Sequence, residues 1–181
     1  MIIVDDELVH GNLQELMLNV LSNQHIPFVH CSNASGDVEE YNPIFVHRIF
    51  YDDIIESELY WFILPIMCIC FEKYNLKINK MLRARLFWQP ASVKEENYLH
   101  DRKKHKDNYF SDHVNFIYYC NESTGGTFIY DIEENNNNLQ KYVEHKKGRF
   151  AIFDGNFYHT GSKPVENSRL VLNVNVTLDK K

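Results

Sequence analysis

Four side chains in the second half of the chain are of the types that hold a metal and an acid together. His105 and Asp107 stand two residues apart in "KHKDNYF". His159 follows about fifty residues later at the end of an apolar run, and Arg169 opens another apolar run ten residues beyond it. In an extended segment, positions i and i+2 project to one side, so His105 and Asp107 can converge on one point. With a second imidazole they offer two nitrogens and a carboxylate, a donor set that grips one face of a divalent cation and leaves the opposite face open. A guanidinium at the head of a strand otherwise built for burial needs a partner, and a carboxylate accepting two parallel hydrogen bonds suits it. Taken singly, each residue has a plainer reading. A chain with nine histidines can carry one H-x-D by chance, His159 can be a satisfied structural histidine, and Arg169 can face water from an edge strand. The adjacent pair His100-Asp101 is set aside, because neighbours on a strand point to opposite faces.

These residues must be positioned by what surrounds them, and the texture of the chain changes after Pro90. "VNFIYYC", "GGTFIYDI", "KYVEH", "GRFAIFDG" and "SRLVLNVNVTL" are short runs rich in Val, Ile, Phe, Tyr and Thr, parted by Gly, Asn and Ser. They predict antiparallel strands in a sandwich or barrel. Within the last run, Leu170, Leu172 and Val174 alternate with Arg169, Val171 and Asn173, giving one apolar face and one mixed face, as in a barrel whose interior holds a polar ligand. "KMLRARLFWQP" reads as a strand stopped by Pro90, and "IPFVHCS" as a shorter one. The first eighty residues otherwise follow helical patterns. "ELVHGNLQELMLNVLSNQ" spaces Leu13, Leu16, Met17, Val20 and Leu21 on one face. A second helix is expected over Ser57 to Tyr74, with Ser57 as its N-cap and Pro65 as a kink or early break. Their apolar faces suit them to cover one sheet. "SNASGDVEEYNP" is read as a loop with turn residues, and Asn135 to Asn138 as an exposed hairpin loop.

The chain of 181 residues suits one domain, with 1–80 as supporting helices and 81–178 as the β core. With 19 basic against 25 acidic residues, the net charge of −6 offers no bulk attraction to nucleic acid or an anionic membrane. The longest apolar run, Leu59 to Phe71, is too short to span a bilayer and carries Pro65, so it reads as a buried helix. The opening residues meet acids at once and lack a secretory signal pattern, which points to the cytoplasm. Cys31, Cys68, Cys70 and Cys120 form no C-x-x-C pair and sit among apolar residues, so buried thiols are expected. The basic run Arg102, Lys103, Lys104 and Lys106 admits two readings, a solvated loop or an attractor for an acidic substrate.

The order of H-x-D, "YYCN", "GGTF", "GRFAIFDG", His159 and Arg169, from about Leu82 to Val176, resembles the Fe(II)/2-oxoglutarate-dependent dioxygenases. The similarity is greatest to the prolyl-hydroxylase-like branch, including its compact bacterial and viral members. The resemblance implies a double-stranded β-helix of the jelly-roll or cupin-like kind, mainly β within an α+β chain, with the N-terminal helices packed on one sheet. It implies His105, Asp107 and His159 as iron ligands and catalytic centre, and Arg169 as the binder of the distal carboxylate of 2-oxoglutarate. Tyr119 would donate its hydroxyl to that same carboxylate, and Gly125 and Gly126 would shape a turn. The implied reaction uses Fe(II), 2-oxoglutarate and O2, with ascorbate as a stimulant, hydroxylates a C–H bond and releases succinate and CO2. The implied substrate is a peptide or protein prolyl residue, with a free amino acid or other small metabolite as the alternative. A barrel that binds metal or ligand without turnover is the reading from another class. The segment before H-x-D is longer and more charged than in prolyl hydroxylases, so the tyrosine that often lines the cofactor pocket there is not placed. Trp88 and Tyr98 are the candidates.

Overall fold

The computed structural model describes residues 1–31, 44–91, 104–107, 112–133 and 138–179. In chain order they form β1 (Ile2–Asp5), α1 (Gly11–Leu21), β2 (Val29–Cys31), β3 (Ile44–Tyr51), β4 (Ile54–Ile55), α2 (Leu59–Glu72) and β5 (Ile78–Gln89). There follow β6 (His113–Tyr119), β7 (Gly126–Tyr130), β8 (Leu139–Glu144), β9 (Phe150–Asp154), β10 (His159–Gly161) and β11 (Arg169–Leu178). The larger sheet runs β1-β9-β6-β11-β5-β3-β2, with β4 beside β3, and the smaller runs β10-β7-β8. His105 adds the segment 104–107 to the free side of β10, since His105 and His159 each donate a backbone N–H to the other's carbonyl, at 3.0 and 2.9 Å. From β6 onward the chain crosses repeatedly between the two sheets, and every strand pair is antiparallel. This is the double-stranded β-helix, with both helices against the larger sheet.

The period-two pattern of the central strands decides which side chains meet. Leu170, Leu172, Val174 and Val176 of β11 and Phe116 and Tyr118 of β6 enter one core with Met17, Leu21, Ile63, Met67 and Phe71 of the helices. Val171, Ile117 and Tyr119 point the other way, into a second core between the sheets with Ile129, Val143 and Phe153. Each fully buried large apolar side chain contributes roughly 1.5–3 kcal/mol, so the helix-facing core anchors the sheet whose other face is free to be polar.

Several expectations need correcting. Helix α1 starts at Gly11 rather than Glu7, because the Asp5 carboxylate accepts the backbone N–H groups of Glu7 and Leu8 and holds that stretch as a turn. Residues 1–80 supply four strands as well as the helices. Helix α2 continues through Pro65 without a break, and Ser57 lies just before it, its hydroxyl accepting from Leu59 N–H and bonding the His47 ring. That helix buries one face only; Trp61, Cys68 and Ile69 are exposed, so Cys68 is not a buried thiol, whereas Cys70 and Cys120 are. Among the described residues no helix is long and apolar enough to cross a membrane. The expected loop at 32–43, Tyr98, His100, Asp101, Arg102, Lys103 and most of the asparagine run lie outside the described residues.

Candidate active site

The site is built on the inner face of the larger sheet, and the register sets it out in rows. Arg83 of β5, Asn175 of β11 and Asn115 of β6 lie side by side; the next row is Arg85, Asn173 and Ile117. Then come Phe87, Val171 and Tyr119, and last Gln89 beside Arg169. The smaller sheet closes over these rows with His159 and Gly161 of β10, Thr127 of β7 and the segment carrying His105 and Asp107. Between the sheets is an open cavity of about 730 Å³, counting the space that communicates with solvent.

His105, Asp107 and His159 converge at one end of that cavity, with one donor atom from each lying within 4.8 Å of the others. The cross-strand pairing of His105 with His159 brings the imidazoles together, ring centroids 4.6 Å apart, and the i, i+2 spacing brings Asp107 to the same side. His159 Nε2 lies 3.9 Å from Asp107 Oδ2. Its Nδ1 faces the Phe157 carbonyl at 3.4 Å, which can only accept, so the proton belongs on Nδ1 and the Nε2 lone pair is left for a cation. Burial lowers the His159 pKa, which keeps the ring neutral as ligation requires. The ring is held at its edge by Phe153, 5.2 Å away.

Asp107 is buried, and a buried carboxylate must be paired. Arg83 Nη2 meets its Oδ1 at 2.6 Å, and Asn175 Nδ2 donates to its Oδ2 at 3.0 Å. Asn175 is in turn fixed by Arg83 Nε, which donates to its Oδ1 at 2.9 Å, and by Asn115, whose Oδ1 accepts from its Nδ2. Burial by itself raises the Asp107 pKa, but His159, Arg83, Arg85 and His105 outweigh it and hold the carboxyl well below the ordinary range. The first row of the sheet is thus a buried support that orients the acid of the triad.

Arg169 sits at the other end of the cavity. Its Nη1 donates to the carbonyls of Ser162 at 2.8 Å and Gly126 at 3.3 Å, and burial lowers its pKa. Gly161 makes room for it: a Cβ there would stand 2.6 Å from Nη2. Gly161 follows His159 by two residues on β10, so the guanidinium and the triad flank a gap of roughly 7 Å along the strand. The donor set suits a divalent cation, and the guanidinium at this reach suits the far end of a short dicarboxylate.

Tyr119 stands differently from the expectation. Its hydroxyl donates to Thr127 Oγ1 at 2.8 Å and lies behind that residue, and it is Thr127 that lines the cavity. Burial pushes the Tyr119 hydroxyl up to about 12, so it is a neutral donor. Gln89, buried and beside Arg169, enters the cavity where a pocket tyrosine was sought; Trp88 faces the other side and packs on Phe45. Lys104 and Lys106, of the basic run, hold the triad segment down. Lys106 Nζ lies 4.4 Å from the Tyr158 ring centre and donates to the Ile132 carbonyl, and Lys104 Nζ sits over Tyr130 and Tyr158. Reasoning from sequence missed Arg83, Arg85, Gln89, Asn115, Thr127, Asn173 and Asn175; the alternation in "RARLFWQ" was the available signal for the three on β5.

The sequence matches no protein-family model and no curated protein. Solved structures match over nearly the whole chain. A Burkholderia pseudomallei oxidoreductase of the 2OG-Fe(II) oxygenase family superposes with a TM-score of 0.69 at 13% identity, over 97% of this chain and 84% of that one. The fold is that of the 2-oxoglutarate and Fe(II) oxygenases. A Trichoplax adhaerens prolyl hydroxylase, in complex with a peptide of the hypoxia inducible factor oxygen degradation domain, gives 0.62 at 16% identity over 97% and 83%. The non-haem α-ketoglutarate-dependent epimerase SnoN, from nogalamycin biosynthesis, gives 0.65 at 10% identity over 97% and 78%. The oxygenase fold therefore carries both hydroxylation and epimerisation among the neighbours of this chain.

Proposed function

We propose that this protein is an Fe(II)- and 2-oxoglutarate-dependent dioxygenase that hydroxylates a substrate C–H bond. One observation carries the reading: a His-Asp-His triad with donor atoms within 4.8 Å and a half-buried arginine occupy the two ends of one cavity. His105, Asp107 and His159 would hold the iron. When bound, iron with 2-oxoglutarate and O2 supplies the oxidation and yields succinate and CO2. The chain's own part is to bind and orient. Arg169, braced by two carbonyls, presents its remaining N–H groups to the distal carboxylate of the co-substrate. Thr127, accepting from Tyr119, keeps its own hydroxyl proton for the cavity. Arg83 and Asn175 keep Asp107 ionised and aimed. No side chain is required as a general base.

The proposed substrates are a prolyl residue of a peptide or a free amino acid or similar small molecule. The peptide reading is supported by the Trichoplax neighbour, and the small-molecule reading by the residues discussed next. Anaerobic melting with Mn(II), with and without 2-oxoglutarate, tests the cofactor assignment. A ligand at 100 times its dissociation constant adds about 2.7 kcal/mol, a readily visible shift. Arg169→Ala should retain the Mn(II) shift and lose the further shift from 2-oxoglutarate. Absence of both shifts in the wild type overturns the proposal, and absence of succinate formation with Fe(II), O2 and ascorbate leaves a binding barrel in its place.

A further inference from the structure

A second arginine enters the cavity at its metal end, and among the described residues the one carboxylate it meets is shared with Arg83. Arg85 points inward from β5, its side chain 22% exposed, with the guanidinium 4.7 Å from the Phe87 ring centre. Among the described residues its carboxylate partner is Asp107, whose Oδ1 lies 3.8 Å from Arg85 Nη2, beyond hydrogen-bonding distance, and that oxygen is already met by Arg83 at 2.6 Å. Arg85 Nε is buried without a hydrogen-bond partner. Burial and the neighbouring Arg83 bring its pKa down to about 10, which leaves it cationic at neutral pH.

Formal charges show what is missing. Arg83 and Asp107 cancel, and a divalent iron and a doubly charged 2-oxoglutarate cancel. Arg85 and Arg169 then leave the filled cavity with a surplus of positive charge, and only Arg169 has the co-substrate's distal carboxylate against it. A largely buried guanidinium that shares its one carboxylate with a second arginine is incompletely neutralised, and a planar fork held over an aromatic ring is preorganised for a carboxylate.

We propose that Arg85 binds a carboxylate of the substrate, so that the molecule oxidised is a small carboxylic acid, a free amino acid or a related acid, whose carboxylate lies close to the carbon attacked. This rests on the dioxygenase reading and narrows its substrate. The Arg85 guanidinium lines the cavity, and a carboxylate held by its terminal N–H groups places the rest of a small molecule against the triad.

The test is a binding measurement on the anaerobic protein loaded with Mn(II) and 2-oxoglutarate. The probes are the free L-amino acids, proline first, and the corresponding 2-hydroxy acids, each paired with its carboxamide. At least one free acid should bind at least tenfold tighter than its amide, and Arg85→Gln should abolish that preference while the affinity for 2-oxoglutarate stays within about twofold. Should the glutamine variant not fold, Arg85→Lys carries the test, since it keeps the charge and loses the fork, and the acid should again bind more weakly. The proposal is overturned if no free acid binds, if amides bind equally well, or if Arg85 variants weaken 2-oxoglutarate instead, which would assign Arg85 to the co-substrate. A wild type that ignores 2-oxoglutarate sinks the dioxygenase reading; one that binds it but shows no preference for acids sinks only this inference.

Discussion

Gly161→Ala separates binding from folding at the co-substrate end of the cavity. A Cβ at residue 161 would stand 2.6 Å from Arg169 Nη2, 3.0 Å from Nη1 and 3.2 Å from Cζ. Among the atoms near Gly161, the nearest belong to the tip of one long side chain, so it is the guanidinium that must yield. The backbone at Gly161 is not in the left-handed region, and glycine is the weaker strand residue there, so folding is neutral or gains up to about 1 kcal/mol. The loss falls on the ligand. A hydrogen bond to a charged group contributes roughly 1.5–3 kcal/mol, which at about 1.4 kcal/mol per decade is a rise of about 10- to 150-fold in the dissociation constant for 2-oxoglutarate. His159, two residues away on β10, keeps its pairing with His105, so Mn(II) affinity should stay within about twofold. Titrating 2-oxoglutarate into the Mn(II)-loaded variant, beside thermal melting of the apo form, measures both quantities. Wild-type affinity for 2-oxoglutarate in a folded Gly161→Ala protein would refute the assignment of Arg169.

Three further outcomes are expected. Asn175→Ala removes the amide joining Arg83, Asn115 and Asp107; leaving buried polar groups unmatched should cost about 1–3 kcal/mol in denaturant unfolding and weaken Mn(II) binding about 10- to 100-fold, and wild-type metal affinity would show that the first row plays no part in the site. Tyr119→Phe deletes a hydroxyl that ends on Thr127, so it should cost about 1 kcal/mol of stability and change 2-oxoglutarate affinity less than fivefold, whereas a loss as large as that of Arg169→Ala would restore the direct contact inferred from sequence. His145 is buried on Tyr119, and burial, then Arg169, lowers its pKa to about 3. The unfolded chain therefore protonates first, so this residue's contribution to stability is complete above about pH 6.5 and falls by up to about 1.4 kcal/mol per pH unit toward pH 3; His145→Gln should flatten that part of the pH–stability curve, and an unchanged curve would count against the burial argument.

The order of the triad residues and Arg169 stood out in the sequence because metal and acid binding restrict residue type, and the i, i+2 rule needs no tertiary information. A β sandwich or barrel was legible because after Pro90 the alternation, β-branched residues and turn signals agree, while its being a double-stranded β-helix came from the family resemblance. What was not legible depends on register. Arg83, Arg85, Asn115, Asn173 and Asn175 look like ordinary polar positions on half-buried strands until pairing sets them in rows beneath the triad. Strand β3 was overlooked because His47 and Arg48 interrupt its apolar pattern, and β1 because only four residues form it before the acidic stretch that leads into the helical pattern. The error at Cys68 has the opposite origin: an unbroken apolar run suggests burial all round, while packing against one sheet buries only one face. Tyr119 lies on the expected strand and face, but its hydroxyl bonds Thr127, which stands between it and the cavity.

The inner rows differ in one respect that bears on function. The row beneath the triad is linked through Asn175, which joins Arg83, Asn115 and Asp107, and that network fixes one geometry. The Phe87 and Val171 row is apolar and needs nothing. Arg85 and Arg169 stand apart as charged groups of these rows that keep donors unmatched by the described residues, and both line the cavity. Folding alone would favour shorter or apolar side chains at both positions, since an unmatched guanidinium in a largely buried place works against stability. With one such charge beside the metal-ligand triad and the other at the far end of the cavity, two carboxylates from outside would account for both, and on the proposed reading the co-substrate's distal carboxylate answers only Arg169.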